Sequence, residues 1–149
     1  MEISMTSTAA NNVTSFSSLG LSEPLMEALN ALEFTQMTQT QQACLPDVLA
    51  GADVAVQAKT GSGKTLAFGL ALLSKIDVDL KNPQSLIMCP TRELAEQVAE
   101  QIRILAKRMS NLKVVALVGG MPMGPQIISL RYGANVVVGT PGRIMDHIG

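Results

Sequence analysis

The chain has 149 residues, 47% of them hydrophobic and 15% charged, enough to bury one sizeable core and too few for two comfortable domains. Eleven basic against twelve acidic residues leave a net charge of -1, which excludes a strongly basic nucleic-acid coat and an acidic disordered tail. The charge is unevenly placed: residues 1–50 hold five acidic residues and no Lys or Arg, whereas residues 51–149 hold eleven basic and seven acidic ones. An anionic ligand therefore belongs to the second part. Two cysteines, Cys44 and Cys89, and one histidine, His147, fall short of the roughly four soft ligands a zinc site needs, so both cysteines read as buried thiols. No run reaches the roughly 18 apolar residues of a membrane span and no positive start marks a signal peptide, so no membrane partner is expected and the cytoplasm is the default location. Asn12-Val13-Thr14 matches a glycosylation acceptor, an accident in the absence of a secretory signal.

Residues 1–15 are rich in Ser, Thr, Asn and Ala and read as a mobile leader, with order beginning near Phe16. Ser22 can cap a helix with Pro24 in its first turn and Leu25, Leu29 and Leu32 on one face. Thr38 can cap another, which carries Cys44, Leu45, Val48 and Leu49 and stops at Gly51. From there apolar runs at Val54 to Gln57, Ser85 to Cys89, Val114 to Val118 and Asn135 to Val138 alternate with helical patterns. That alternation predicts an α/β fold, a parallel sheet flanked by helices. Leu66 to Ile76 is apolar nearly all round and predicts a buried helix. Leu94, Ala95, Val98, Ala99, Ile102, Leu105 and Ala106 form the inner stripe of another, opposite Glu96, Glu100, Arg103 and Lys107.

The strongest motif is Ala58-Lys59-Thr60-Gly61-Ser62-Gly63-Lys64-Thr65, which fits the phosphate-loop spacing G-x-x-x-x-G-K-[ST] with Ala58 in place of the first glycine. A strand before it and a helix after it are the context the chemistry requires. Gly61 and Gly63 let the backbone curl so that N–H groups and a helix N-terminus face a polyphosphate. Lys64 would neutralise the outer phosphates and the Thr65 hydroxyl would ligate Mg²⁺. A glycine-rich turn without a ligand is the blander reading, disfavoured because residue types, spacing and context agree.

A phosphate loop alone does not choose among kinases, GTPases, transporters and helicases. The other strands also end in unusual turns: Pro90-Thr91-Arg92-Glu93 opening a helix, Gly119-Gly120, and Thr140-Pro141-Gly142-Arg143. In an open parallel sheet, ligands lie outside the carboxyl ends of the strands. Exposed backbone N–H groups, a helix N-terminus and single Arg side chains there suit a repeating phosphate backbone. Taken singly, the prolines are strand terminators, the glycines a loop, and Arg92 and Arg143 solvated charges; their co-occurrence at one edge favours the shared reading.

These residues, in this order, resemble the first motor domain of DEAD-box RNA helicases. The phosphate loop is similar to that family's motif I, Pro90 to Ala95 to motif Ia, Gly119-Gly120 to its glycine doublet, and Thr140 to Arg143 to motif Ib. Upstream, Phe16 and the run Phe34 to Gln41 resemble the Q motif, with Met37, Gln39 and Thr40 where Pro, Pro and Ile are often found. The resemblance implies an incomplete RecA-like ATP-binding domain, with a Q-motif region over 16–42 and the ATP-binding portion over 43–149. It implies ATP and Mg²⁺ as cofactors: Gln41 on the adenine edge, Phe34 stacked on the base, Phe16 packed beside that segment, residues 58–65 on the phosphates, and Lys64 and Thr65 in the catalytic machinery. It implies RNA as partner, held by Pro90, Thr91, Arg92, Gly119, Gly120, Thr140, Pro141, Gly142 and Arg143 through sugar and phosphate, without sequence preference, by a monomer. In the bacterial member whose phosphate-loop segment looks most similar, a C-terminal domain selects a ribosomal RNA hairpin, so ribosomal RNA is a candidate partner of a longer chain.

Phosphoryl transfer to water also needs an acidic residue to hold Mg²⁺ and a group to orient the water. No apolar strand run here is followed by an acidic pair, so the chain is expected to be the amino-terminal piece of a helicase that binds nucleotide weakly and does not turn it over. Three Phe, one Tyr and no Trp disfavour base stacking along a strand. Two rivals stay open: a kinase or DNA-directed ATPase on the same scaffold, and a chain that binds nucleotide without catalysis. His147 needs no role in any of them.

Overall fold

The computed structural model describes residues 14–149, and the chain divides after Lys75 into two compact units. The predicted leader and the glycosylation match fall outside the described residues, apart from Thr14 and Ser15. Both are already engaged: the Thr14 carbonyl accepts from Met37 N–H at 2.6 Å, and Ser15 bridges Gln36 in antiparallel fashion.

In the first unit, Ser15 caps a single 3-10 turn over Phe16–Leu19, its Oγ accepting from Ser17 N–H. Helix α1 (Glu23–Ala31) starts after Ser22 with Pro24 in its first turn, although the Ser22 side chain makes no capping bond. Leu25 and Leu29 form its buried face, and Leu32, at the C-cap, is half-buried. Helix α2 (Gln39–Leu49) opens on Thr38 and carries the buried Cys44 and Leu45. It packs on α3 (Lys64–Ser74), whose Ala67, Leu70, Ala71 and Leu73 are buried while Phe68 stays exposed.

The strand expected at Val54 to Gln57 is reduced to an isolated bridge at Ala55. The three-stranded sheet of the chain does not include this segment. Ala55, Val56 and Gln57 are exposed: β-branched residues favour extended backbone, but a ladder needs a neighbouring strand to accept its hydrogen bonds.

The second unit alternates β1 (Ser85–Met88), α4 (Arg92–Leu105), β2 (Val114–Leu117), α5 (Met123–Tyr132), β3 (Val136–Gly139) and α6 (Pro141–Ile148). The strands are all parallel in the order β1-β3-β2, with Met88 and Leu117 both opposite Gly139. The strand in the middle reads Val-Val-Val-Gly and is buried throughout, as a strand covered on both faces must be. Val137 joins Leu117, Ala134 and Ile144 in one cluster; alternation turns Val136 and Val138 to the opposite face. Asn135 pins the start of β3: its buried amide accepts from Lys113 N–H and donates to the Leu80 carbonyl, both at 2.8 Å.

Helix α4 packs on β2 and β3 through Ala95, Val98, Ala99, Ile102 and Leu105, with Glu96, Glu100, Arg103 and Lys107 outside as the period requires. Leu94 departs from the expected stripe and is 41% exposed. It sits about 100° round the helix from Ala95, at the margin of the apolar arc and in the first turn. Thr91 caps α4 by accepting from Leu94 N–H at 3.2 Å. Thr91→Ala is expected to cost about 1 kcal/mol, read as a lower urea midpoint with an unchanged slope.

Candidate nucleotide and nucleic-acid sites

Local chemistry sets the shape of the phosphate loop. Ser62 N–H closes a turn on the Lys59 carbonyl at 3.2 Å, and Gly61 and Gly63 take left-handed φ values of 84° and 86°. Ala58 has no positive φ, so alanine is tolerated where the motif has its first glycine. Gly63 is the N-cap of α3 and no side chain caps the helix, which leaves the first-turn N–H groups to a ligand or water. Lys59, Thr60 and Gly61 are exposed and residues 62–65 half-buried, so the loop is open to solvent. The Lys64 ammonium folds back along it and donates to the Ala58 carbonyl.

The segment resembling the Q motif grips this loop. Thr38 and Gln41 form a capping box: Thr38 N–H donates to Gln41 Oε1 at 2.9 Å and Gln41 N–H donates to Thr38 Oγ1 at 3.2 Å. Each then reaches the loop, Thr38 Oγ1 donating to the Ser62 carbonyl at 2.7 Å and Gln41 Nε2 to the Gly63 carbonyl at 3.2 Å. A Cβ on Gly63 would collide with the Gln41 amide. Gln41 is therefore a buried brace, 3% exposed, and not the solvated helix residue that Gln at that position would suggest. Its amide retains one N–H and one acceptor lone pair. Phe16 is buried beside this segment, its N–H on the Thr35 carbonyl at 3.3 Å; Phe34 is 45% exposed and so is not a core aromatic.

Ser62 Oγ is buried and has no hydrogen-bond partner among the described residues. An orphan hydroxyl, uncapped helix N–H groups and a lysine held at the loop make this stretch rich in donors, which fits a phosphate chain. Among the described residues no group of three His, Cys, Asp or Glu could hold a metal ion. Cys44 and Cys89 are buried thiols as expected. Burial pushes both up from their ordinary pKa; at Cys44 a backbone hydrogen bond opposes this and the Asp47 carboxylate adds to it.

In the second unit the register of the sheet brings three expected turns to one edge, since Met88, Leu117 and Gly139 end level. They also touch. The Arg92 guanidinium lies so close to Gly120 that a Cβ there would stand 2.7 Å from Nη1, and Gly120 has φ 76°, so this position admits only glycine without strain. Arg92 Nη2 reaches Met121 Sδ at 3.7 Å, and its Nε stands 3.5 Å from Glu96. Arg143 Nη1 donates to the Met121 carbonyl at 2.9 Å. Pro90, Thr91, Pro141 and Gly142 are exposed at the same edge, with Gly119 and Thr140 half-buried.

Arg143 differs from a solvated charge: its side chain is 14% exposed, 3.6 Å from Asp146, and its Nε is buried without a hydrogen bond among the described residues. Gln126, which no motif or spacing in the sequence marks, holds the other end of this arrangement. It is a polar side chain in α5, 7% exposed, and its partners lie 8, 17 and 21 residues away along the chain. No spacing rule links such positions. The faint signal is a lone glutamine beside Ile127 and Ile128 in a short helix after a glycine doublet.

Comparison with known proteins identifies the family and the fold. The chain is 51% identical over 137 residues to the ATP-dependent RNA helicase DbpA of Escherichia coli, and 50% identical over 135 residues to the ATP-dependent RNA helicase DeaD of the same organism. Each match covers 91% of this chain but only 30% and 22% of those relatives. The fold superposes on a DEAD box protein from the hyperthermophile Methanococcus jannaschii with a TM-score of 0.85 at 40% identity, over 91% of this chain and 37% of that one. It superposes on Saccharomyces cerevisiae Dbp5 bound to RNA and ADP BeF3 with a TM-score of 0.81 at 30% identity, over 91% and 34%. The model of the DEAD/DEAH box helicase family matches residues 38–149, well over half of the sequence, and the chain belongs to that family.

Proposed function

We propose that this chain supplies the nucleotide cradle and one side of the RNA groove of an ATP-dependent RNA helicase. The observation that carries the reading is the clasp of Thr38 and Gln41 on Ser62 and Gly63, which ties a base-reading segment directly to a phosphate loop. Backbone N–H groups of the loop and of the first turn of α3, with the Ser62 hydroxyl, receive the phosphate oxygens, and Lys64 exchanges its Ala58 carbonyl for phosphate charge. A Mg²⁺ carried by the nucleotide would be held by Thr65 and would neutralise charge on the outer phosphates. The free N–H and lone pair of Gln41 match the N7 acceptor and N6 donor of adenine, the pairing glutamine makes with that base. Phe34 offers its exposed ring to the base plane.

Arg92, Gly119, Gly120 and the turn from Thr140 to Arg143 present charge and backbone N–H groups at one sheet edge, with Pro90, Thr91, Pro141 and Gly142 shaping it. Such a surface takes sugar and phosphate and ignores base identity. Titration of fluorescent single-stranded oligoribonucleotides at low salt tests this. Arg92→Ala should weaken binding equally for all sequences and lower the salt slope by about one; a loss confined to one sequence would contradict it. Tighter calorimetric binding of Mg–ATP than of Mg–GTP by the same chain is the corresponding result for Gln41 and Phe34.

A further inference from the structure

We infer that Gln126 is a positioning residue for the RNA-facing edge, acting by locking the glycine-doublet turn to α6. The inference rests on the RNA reading given above and names how that edge keeps its shape.

The amide of Gln126 is engaged on both sides. Its Nε2 donates to the Val118 carbonyl at 3.0 Å, the last carbonyl before the glycine doublet. Its Oε1 takes His147 Nε2 at 2.8 Å and Arg143 Nη1 at 3.4 Å. The orientation is fixed by chemistry, because Arg143 can only donate and the Val118 carbonyl can only accept. The same argument places a proton on His147 Nε2, which gives that histidine a structural task.

Arg143 Nη1 also holds the Met121 carbonyl. The turn from Val118 to Met121 is thus gripped at its two ends, by Gln126 directly and by Arg143, which Gln126 itself orients. Inside the turn, Gly120 must stay in its left-handed conformation for the Arg92 guanidinium to lie against it. A doublet of glycines is otherwise the most easily disordered segment available. A buried glutamine in α5 therefore governs two arginines, one of which it never touches, and contacts no RNA itself.

The test uses this 149-residue chain and a fluorescein-labelled single-stranded oligouridylate at low salt. Gln126→Leu removes all three bonds at similar volume and should weaken binding about fivefold or more, the scale of one or two lost hydrogen bonds. The salt slope should stay unchanged, because no cation is removed. Gln126→Glu keeps the acceptor for Arg143 and His147 but loses the donor to Val118, so it should fall between Leu and the native residue. Independently of RNA, ¹⁵N relaxation should show the amides of Gly119, Gly120 and Met121 becoming mobile in Gln126→Leu while the sheet stays rigid. Should Gln126→Leu prove unfolded, Gln126→Glu carries both measurements.

Native order at residues 119–121 in the folded variants would overturn the proposal whatever the RNA result. Undiminished RNA affinity of Gln126→Leu, with Arg92→Ala weakened, would also overturn it and leave the RNA reading standing. If Arg92→Ala binds as the native chain does, the RNA reading itself falls and the assignment to RNA positioning falls with it.

Discussion

Lys64→Ala should lower the affinity of the chain for Mg–ATP by about tenfold to a hundredfold or more, while the folded structure persists. The magnitude follows from a charge-assisted hydrogen bond, worth about 1.5–3 kcal/mol, between an ammonium and phosphate oxygens in a half-buried loop. The fold should survive because the Lys64 side chain makes one bond in the structure, to the Ala58 carbonyl of its own loop. That bond is within reach of water, which replaces it at little cost. Calorimetric titration with Mg–ATP beside a urea melt separates the two quantities. Unchanged affinity would remove the phosphate loop from the functional reading; a collapsed melt would show Lys64 to be structural.

Gly63→Ala should be the more damaging change to stability, by about 2–5 kcal/mol. Two costs add. A left-handed φ costs an L-residue about 1–2 kcal/mol, and Gly63 has φ 86°. The new methyl would also displace the Gln41 amide, breaking its bond to the Gly63 carbonyl and stranding a buried donor, for about 1–3 kcal/mol more. Gly61→Ala supplies the control, since φ there is 84° but nothing lies within 4 Å of the added carbon. It should show the backbone strain alone. Equal urea midpoints for the two variants would mean that the Gln41 clasp contributes nothing.

Residues 58–65 were legible in the sequence because the chemistry of that loop is local: spacing, residue type and following helix all sit within one short stretch. The helix cap at Thr38, the helix opened by Pro90 to Glu93 and the stripe of α4 were legible for the same reason, as were the three turns, each next to the strand it ends. The segment Val54 to Gln57 has the right side chains for a strand, yet pairing depends on a neighbour, which no local pattern reports. Leu94 shows the limit of periodicity: the period gives an angle round the helix and not how far the cover extends along it. Strand order, the burial of Arg143 and the role of Gln126 depend on contacts between residues far apart in sequence, so composition and period were silent about them. Gln41 was identified only through resemblance, and its bonds to Thr38 and Gly63 give that resemblance a physical basis.

The capping box at the head of α2 also has a thermal consequence. The hydroxyl and amide that start this helix are the same groups that hold Ser62 and Gly63, and first turns are where helices open most readily. Warming should therefore loosen the grip on nucleotide several degrees before the chain melts, with amide exchange at Gln41 and affinity for the triphosphate declining together.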